Sequence, residues 1–362
     1  MLRLTTALVL SLAPLSLRAE VPRVLADTIP VHSLVAQVMG DLGSPDLLLP
    51  PGVSVHDYQM RPSDAARLSG ADVVIWTGAG LTPWLADPVG TLAPDALHLE
   101  LLATEGWDAL PLRAGTAFDH GHDHDHAEET AGDDGHDHGG DHDHAEEDGH
   151  DHGGDQDHNH GGDHDSAAAE GHDHAAEHGD HGHDHAHAAG GTDPHAWLSP
   201  AVAAVWLGHI AAALAEADPA NAATYRTNAA AAADRLADLQ SSLAADLAPL
   251  SGRAFVVPHD AYQYFESAFA LPAAGAVALS DAAAPGPARI ADLRDRVEAG
   301  DIACILTDPQ TNPEWSALLT ETGLARTARV DADGTDIPPG PDAHAAILTG
   351  IAAALTACLS DG

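Results

Sequence analysis

The 362-residue chain contains no lysine. Its 14 basic residues are all arginine and stand against 56 acidic ones, giving a formal net charge of −42. Nucleic-acid binding needs Lys and Arg patches that neutralise phosphates, so this balance excludes nucleic acid as a partner. It does not by itself indicate metal binding, because an acidic surface also serves solvation. Cysteine is nearly absent too: only Cys304 and Cys358 occur. In an oxidising compartment such a pair invites a disulfide, worth about 4 kcal/mol for a loop of this length. The alternative is two buried thiols. Read as a bridge, the pair is withdrawn from metal ligation. No segment is expected to span a membrane. The apolar run Leu4 to Leu17 follows Arg3 and precedes a small residue, Ala19, before Glu20. It is too short for a comfortable transmembrane helix and reads as a secretory signal over 1–19 rather than an anchor or a buried helix. Export is therefore expected.

One residue type is present in excess. Of the 27 histidines, 20 fall between Asp119 and His187, together with 23 Asp or Glu and no basic residue. Most of the remainder is Gly and Ala, with His-Asp-His repeats at His122–His124, His136–His138 and His183–His185. Such a stretch has almost nothing to bury and cannot offset the entropy of ordering, so a disordered loop is expected. Solvation alone would explain acidic residues but not the imidazoles. With an ordinary pKa of about 6.5, these are largely neutral and metal-competent near pH 7. Weak metal binding is therefore expected at His120, His122, His124, His126, His136, His138, His181, His183, His185 and His187.

Outside this stretch the chain alternates strands and helices. Val21–Ala26, Leu47–Leu49, Val73–Trp76 and Leu97–Leu101 read as strands. Pro30 opens a helix carrying Leu34, Val35 and Val38, and Ser63–Leu68 is helical. Ala220–Ala248 has no internal Gly or Pro and repeats Leu236, Leu239, Leu243 and Leu247 at helical spacing. A helix of that length would reach roughly 44 Å, more than one small domain's width. Ala254–Val257 and Ile302–Leu306 then read as strands. Ile290, Leu293 and Val297 mark one helix, and Ile347, Ile351, Leu355 and Leu359 another. The expected fold class is α/β, with two lobes, each a mostly parallel sheet covered by helices, joined by a long rigid helix. The N-terminal lobe spans 20–218, interrupted by 119–187; the linking helix spans 219–250, and the C-terminal lobe 251–362. Clefts at the carboxyl ends of such strands bind ligands.

Seven histidines lie outside the histidine-rich stretch. His32, His209 and His344 fall in helical patterns and His98 in a strand, so these four read as structural. His56, His195 and His259 stand at strand ends or helix entrances, where a cleft would lie. Their surroundings are distinctive: Leu-Leu-Pro-Pro-Gly-Val-Ser-Val-His-Asp-Tyr-Gln-Met-Arg-Pro-Ser-Asp (Leu48–Asp64), Pro-His-Ala-Trp-Leu-Ser-Pro (Pro194–Pro200) and Pro-His-Asp-Ala-Tyr-Gln-Tyr-Phe (Pro258–Phe265). These stretches resemble the ZnuA family, the metal-binding receptors of zinc-uptake ABC transporters. The likeness extends over nearly the whole mature chain. It takes in the interrupting His/Asp-rich loop and both cysteine contexts, Ala303–Gln310 and Ala357–Leu359.

The resemblance implies that His56, His195 and His259 ligate Zn²⁺ and that Cys304 pairs with Cys358. It also implies two lobes bridged by a rigid helix, a monomeric receptor, and a zinc ABC-transporter membrane permease as partner. Periplasmic zinc chaperones are a further implied class of partner. The fourth ligand in similar receptors is a carboxylate of the C-terminal lobe. Asp331 matches that place best, with Asp333 and water as competitors. Some relatives carry Glu immediately before the first histidine, where this chain has Val55. Three imidazoles suit zinc better than a carboxylate-rich set, which suits manganese. Asp57, Asp260 and Tyr262 are the sequence neighbours placed to support the ligating rings. Three other functions were open to the residues: a periplasmic metal buffer or store, a receptor for manganese or nickel, and a zinc hydrolase. The buffer leaves two ordered lobes unexplained. The hydrolase lacks a His-Glu-x-x-His motif, and Glu100 stands beside His98, not beside a candidate ligand. No enzymatic activity is expected.

Overall fold

The computed structural model of the protein describes residues 21–56, 58–113, 115, 118, 191–278, 284–309, 312–321, 323 and 325–360. The expected signal segment, the loop histidines and Asp57 lie outside the described residues.

Two four-stranded sheets, both wholly parallel, organise the molecule. In the first, β1 (Val24–Ala26), β2 (Asp46–Leu47), β3 (Val73–Trp76) and β4 (Leu97–Glu100) lie in the order β2-β1-β3-β4. In the second, β5 (Phe255–His259), β6 (Gly275–Ala278), β7 (Cys304–Thr307) and β8 (Arg326–Arg329) repeat the order as β6-β5-β7-β8. The central strands are largely apolar because both faces are covered. Val73 and Ile75 join the main core, whereas Val74 and Trp76 join a second cluster on the other face. Phe255 and Val257 likewise face the main core, and Val256 faces a third cluster with Leu293 and Val297.

The covering helices begin where sequence chemistry starts them. Pro30 stands in the first turn of α1 (Ile29–Met39), where its missing N–H costs no hydrogen bond. In α2 (Pro62–Ser69), the Arg61 backbone N–H donates to Asp64 Oδ2 at 2.9 Å. Ser199 caps α4 (Pro200–Ala217), its Oγ accepting from Val202 N; between α2 and α4 lies the short α3 (Ala86–Leu92). Next comes α5 (Ala222–Leu247), extended by 3₁₀ turns at Pro219–Asn221 and Ala248–Leu250. Its 26 residues reach about 39 Å. Tyr225, Ala229, Ala232, Leu236, Leu243 and Leu247 form its buried stripe. That stripe packs on α4 and α1 and on α6 (Gln263–Phe269) and α9 (Ala343–Leu359), so α5 serves both lobes. The second sheet is further covered by α7 (Pro287–Glu298) and α8 (Pro313–Thr320). Cys304 and Cys358 form a disulfide joining β7 to α9.

Several elements differ from expectation. The first strand starts at Val24 and the second is Asp46–Leu47 rather than Leu47–Leu49. Pro258 and His259 belong to β5, which ends on the histidine. The edge strands β6 and β8 carry no expectation from sequence: one is Gly-Ala-Val-Ala and the other Arg-Thr-Ala-Arg.

Candidate metal centre

His56 sits in the irregular segment between β2 and α2, held on both sides. Val55 and Tyr58 are buried in the main core. The Val55 carbonyl accepts from Trp84 Nε1 at 2.9 Å, and Tyr58 Oη donates to Asp64 Oδ2 at 2.6 Å. Burial pushes the Asp64 carboxyl up, but hydrogen bonds from Tyr58, Arg61 and Arg67 outweigh it and bring the group down to about 2. The anchor is thus ionised at any physiological pH. His56 itself is half-buried.

His195 and His259 are buried, 4% and 5% exposed. Asp193, in Thr-Asp-Pro-His, accepts the His195 backbone N–H at 3.0 Å and stands 2.8 Å from its Nδ1. His259 ends β5, and its Nδ1 lies 3.0 Å from Oδ2 of Asp308, just past the end of neighbouring β7. A carboxylate only accepts, so in both rings Nδ1 carries the proton and Nε2 keeps the lone pair for a metal.

Three segments thereby bring the three histidines together. Ring centroids are 5.4 Å apart for His56 and His195, 5.8 Å for His195 and His259, and 6.4 Å for His56 and His259. One ligand atom from each lies within 4.8 Å of the others, so the set could hold a metal ion. A tetrahedral zinc with bonds of about 2.0–2.1 Å holds its nitrogens about 3.4 Å apart, so the triad needs to contract by about 1.4 Å at most.

Asp331 is not in that set. Its Oδ1 accepts from Thr335 N at 2.9 Å and Thr335 Oγ1 at 3.2 Å, and its Oδ2 from Asp336 N at 2.8 Å, so it also staples its own turn. Asp333, on the same turn, is 8% exposed. Tyr262 is fully buried, its ring 6.3 Å from that of His259. Burial, reinforced by Asp308, Asp333 and Asp331, pushes its phenol well above the usual range.

The other four histidines each place Nε2 against a backbone carbonyl: His32 on Pro45 at 3.1 Å, His98 on Ala93 at 2.7 Å, His209 on Glu105 at 2.9 Å and His344 on Trp197 at 2.7 Å. They stitch segments together. Sequence reasoning missed the supporting carboxylates Asp193 and Asp308. Asp193 has a local signal, two residues before a histidine with Pro between. Asp308 becomes visible only once β5 and β7 are known to be adjacent and parallel. Asp260 turns instead to Arg113, which binds both Asp260 and Glu266.

A family model described as zinc-uptake complex component A, periplasmic, matches residues 24–358. The high-affinity zinc uptake system protein ZnuA of Paracoccus denitrificans is 42% identical over 357 residues, spanning 98% of this chain and 97% of that protein. Its Brucella suis counterpart is 34% identical over 345 residues, spanning 95% and 94%. Among solved structures, a crystal structure of ZnuA superimposes with a TM-score of 0.66 at 18% identity, covering 94% of this chain and 100% of the other. The zinc-bound 138–173 deletion mutant of ZnuA gives 0.65 at 18% identity, covering 94% and 99%. At those identities the solved structures speak for the fold.

Proposed function

The chain belongs to the ZnuA family of periplasmic zinc-uptake components, and on that premise we propose how it handles its cargo. It is the high-affinity zinc-binding component of an uptake system, a receptor and not an enzyme. His56, His195 and His259 take Zn²⁺ through Nε2 and pass it to the membrane permease of a zinc ABC importer, with the receptor acting as a monomer. The observation that carries this reading is the convergence of the three imidazoles, two of them with Nδ1 held by a buried carboxylate. Three neutral nitrogen donors, two of them on buried rings, suit zinc. The fourth donor comes from the turn that holds Asp331, competing there with Asp333, or from water. Protons compete with the metal for the same lone pairs, so affinity falls as pH drops through the histidine range.

The 119–187 stretch, on this reading, gathers further zinc weakly and raises its concentration near the tight site; periplasmic zinc chaperones are its proposed feeders. Titration calorimetry on the wild type and on His56→Ala, His195→Ala, His259→Ala, Asp331→Ala and Asp333→Ala tests the assignment. Each histidine change abolishes or sharply weakens one tight site, and the two aspartate changes identify the fourth donor. Intact tight binding after all three histidine changes sinks the proposal. Deleting 119–187 lowers the stoichiometry and leaves one tight site; losing that site as well would refute the division of labour.

A further inference from the structure

An ion cluster outside the histidine triad joins two of the ligand-bearing segments. Arg113 stands beyond the first sheet, yet all three of its guanidinium nitrogens reach acids of the C-terminal lobe. Nε lies 2.9 and 3.2 Å from the two oxygens of Asp260, Nη1 and Nη2 each lie 2.9 Å from an oxygen of Glu266, and Nη2 also bonds Asp260 Oδ1. The Phe118 ring covers the guanidinium, its centroid 3.5 Å from Cζ. Both acidic side chains are 6% exposed and the arginine side chain 17%.

A buried charge cluster is a poor device for mere cohesion, because desolvation consumes most of its attraction. What a planar guanidinium adds is direction: the bidentate fork sets where its carboxylate stands. Here that carboxylate belongs to Asp260, the residue directly after His259. At the other end, the same short run of chain is zipped to the segment that supports His195. Leu112 N donates to Gly191 O at 2.8 Å, and Asp193 N donates to Leu110 O at 2.8 Å. Leu110 N in turn donates to Tyr264 Oη at 2.9 Å. Residues 110–113 are therefore a strap. One end grips the residue that orients His195, and the other grips the neighbour of His259.

We infer that Arg113 is a positioning residue for metal retention: the strap over 110–113 holds the His195 and His259 segments at a set spacing and so governs how fast zinc leaves. The inference rests on reading the three histidines as the zinc site. Metal–nitrogen bonds tolerate errors of only about 0.2 Å, so slack between two ligand-bearing segments acts directly on dissociation.

The test is stopped-flow release of zinc from the loaded full chain into excess chelator, with the melting temperature of the metal-free protein measured alongside. Arg113→Gln speeds release by about tenfold, the low end of what loss of a ligand-supporting contact costs. Arg113→Lys, which keeps charge but not the fork, restores part of the retention. Glu266→Gln, which loosens the fork from its far side, speeds release alone and adds little in the Arg113→Gln background. Tyr225→Phe, removing a buried hydrogen bond from α5 to Asp218 at the end of α4, lowers the melting temperature and leaves release unchanged. Release rates of Arg113→Gln and Glu266→Gln within twofold of a tightly binding wild type overturn the strap. A wild type that lacks a tight site overturns the site assignment instead.

Discussion

Replacing Asp308 by asparagine tests whether the site is tuned by what lies behind its ligands. His259 Nδ1 and Asp308 Oδ2 are 3.0 Å apart, and both side chains are buried. The carboxylate demands a proton on Nδ1 and so reserves Nε2 for metal. An asparagine of the same shape offers either an oxygen or an amide N–H. With the amide facing the ring, the favoured tautomer reverses and the proton moves to the atom that should bind zinc. With the oxygen facing it, the tautomer survives but the negative charge that strengthens the imidazole as a donor is gone. Loss of such a partner weakens metal affinity by about 10–100-fold, or about 1.4–2.7 kcal/mol. Competition against a chelator of known affinity reads the change, and the melting temperature of the metal-free variant shows whether the fold is intact. A well-folded Asp308→Asn protein whose zinc Kd stays within twofold of wild type would refute the reasoning.

Three further outcomes are expected. The Cys304–Cys358 bridge closes a loop with a sequence separation of 54, so reducing it costs about 4 kcal/mol. For a folded body of this size that lowers Tm by roughly 7 °C or more, seen by calorimetry with and without reductant; an unchanged Tm in demonstrably reduced protein contradicts it. Burial raises the Asp27 carboxyl to about 6, against hydrogen bonds from Thr77 and Thr28 that lower it. Between about 4 and 6 the folded chain holds a proton that the unfolded chain releases, so stability falls as pH rises through that window, by about 3 kcal/mol in all. Asp27→Asn flattens this part of the stability–pH curve, and an unaltered slope counts against the assignment. At Gly334, φ is +71°, and a Cβ would meet Ile347 Cδ1 at 2.9 Å and Ile29 Cγ2 at 3.1 Å. Gly334→Ala therefore destabilises by about 1 kcal/mol or more in urea titration; a neutral result would mean that the turn relaxes freely.

How far the sequence could be read depended on what covered each segment. The strand Val73–Trp76 is found residue for residue as expected, because an apolar run buried on both faces announces itself. The long helix is legible for the complementary reason: an unbroken alanine-rich run with leucines at helical spacing. The edge strands Gly275–Ala278 and Arg326–Arg329 were silent, since each borders only one neighbour and carries little apolar periodicity. That His56, His195 and His259 come together was legible from their ordered surroundings, whereas the carboxylates beside two of them were not. Asp260 looked well placed because it adjoins His259, yet it turns to Arg113, and the role falls to Asp308, 49 residues away. Adjacency along the chain predicts which residues share a loop, not which side chains face each other across parallel strands.

The main core does not stop at the boundary between the lobes. It runs from Val24 through the stripe of α5 to Leu359 without a break. A receptor that swings open like a jaw would have to tear that continuity, and each large apolar side chain returned to water costs about 1.5–3 kcal/mol. The continuous core therefore opposes a jaw-like opening, and His56 is the one of the three clustered histidines that is only half-buried.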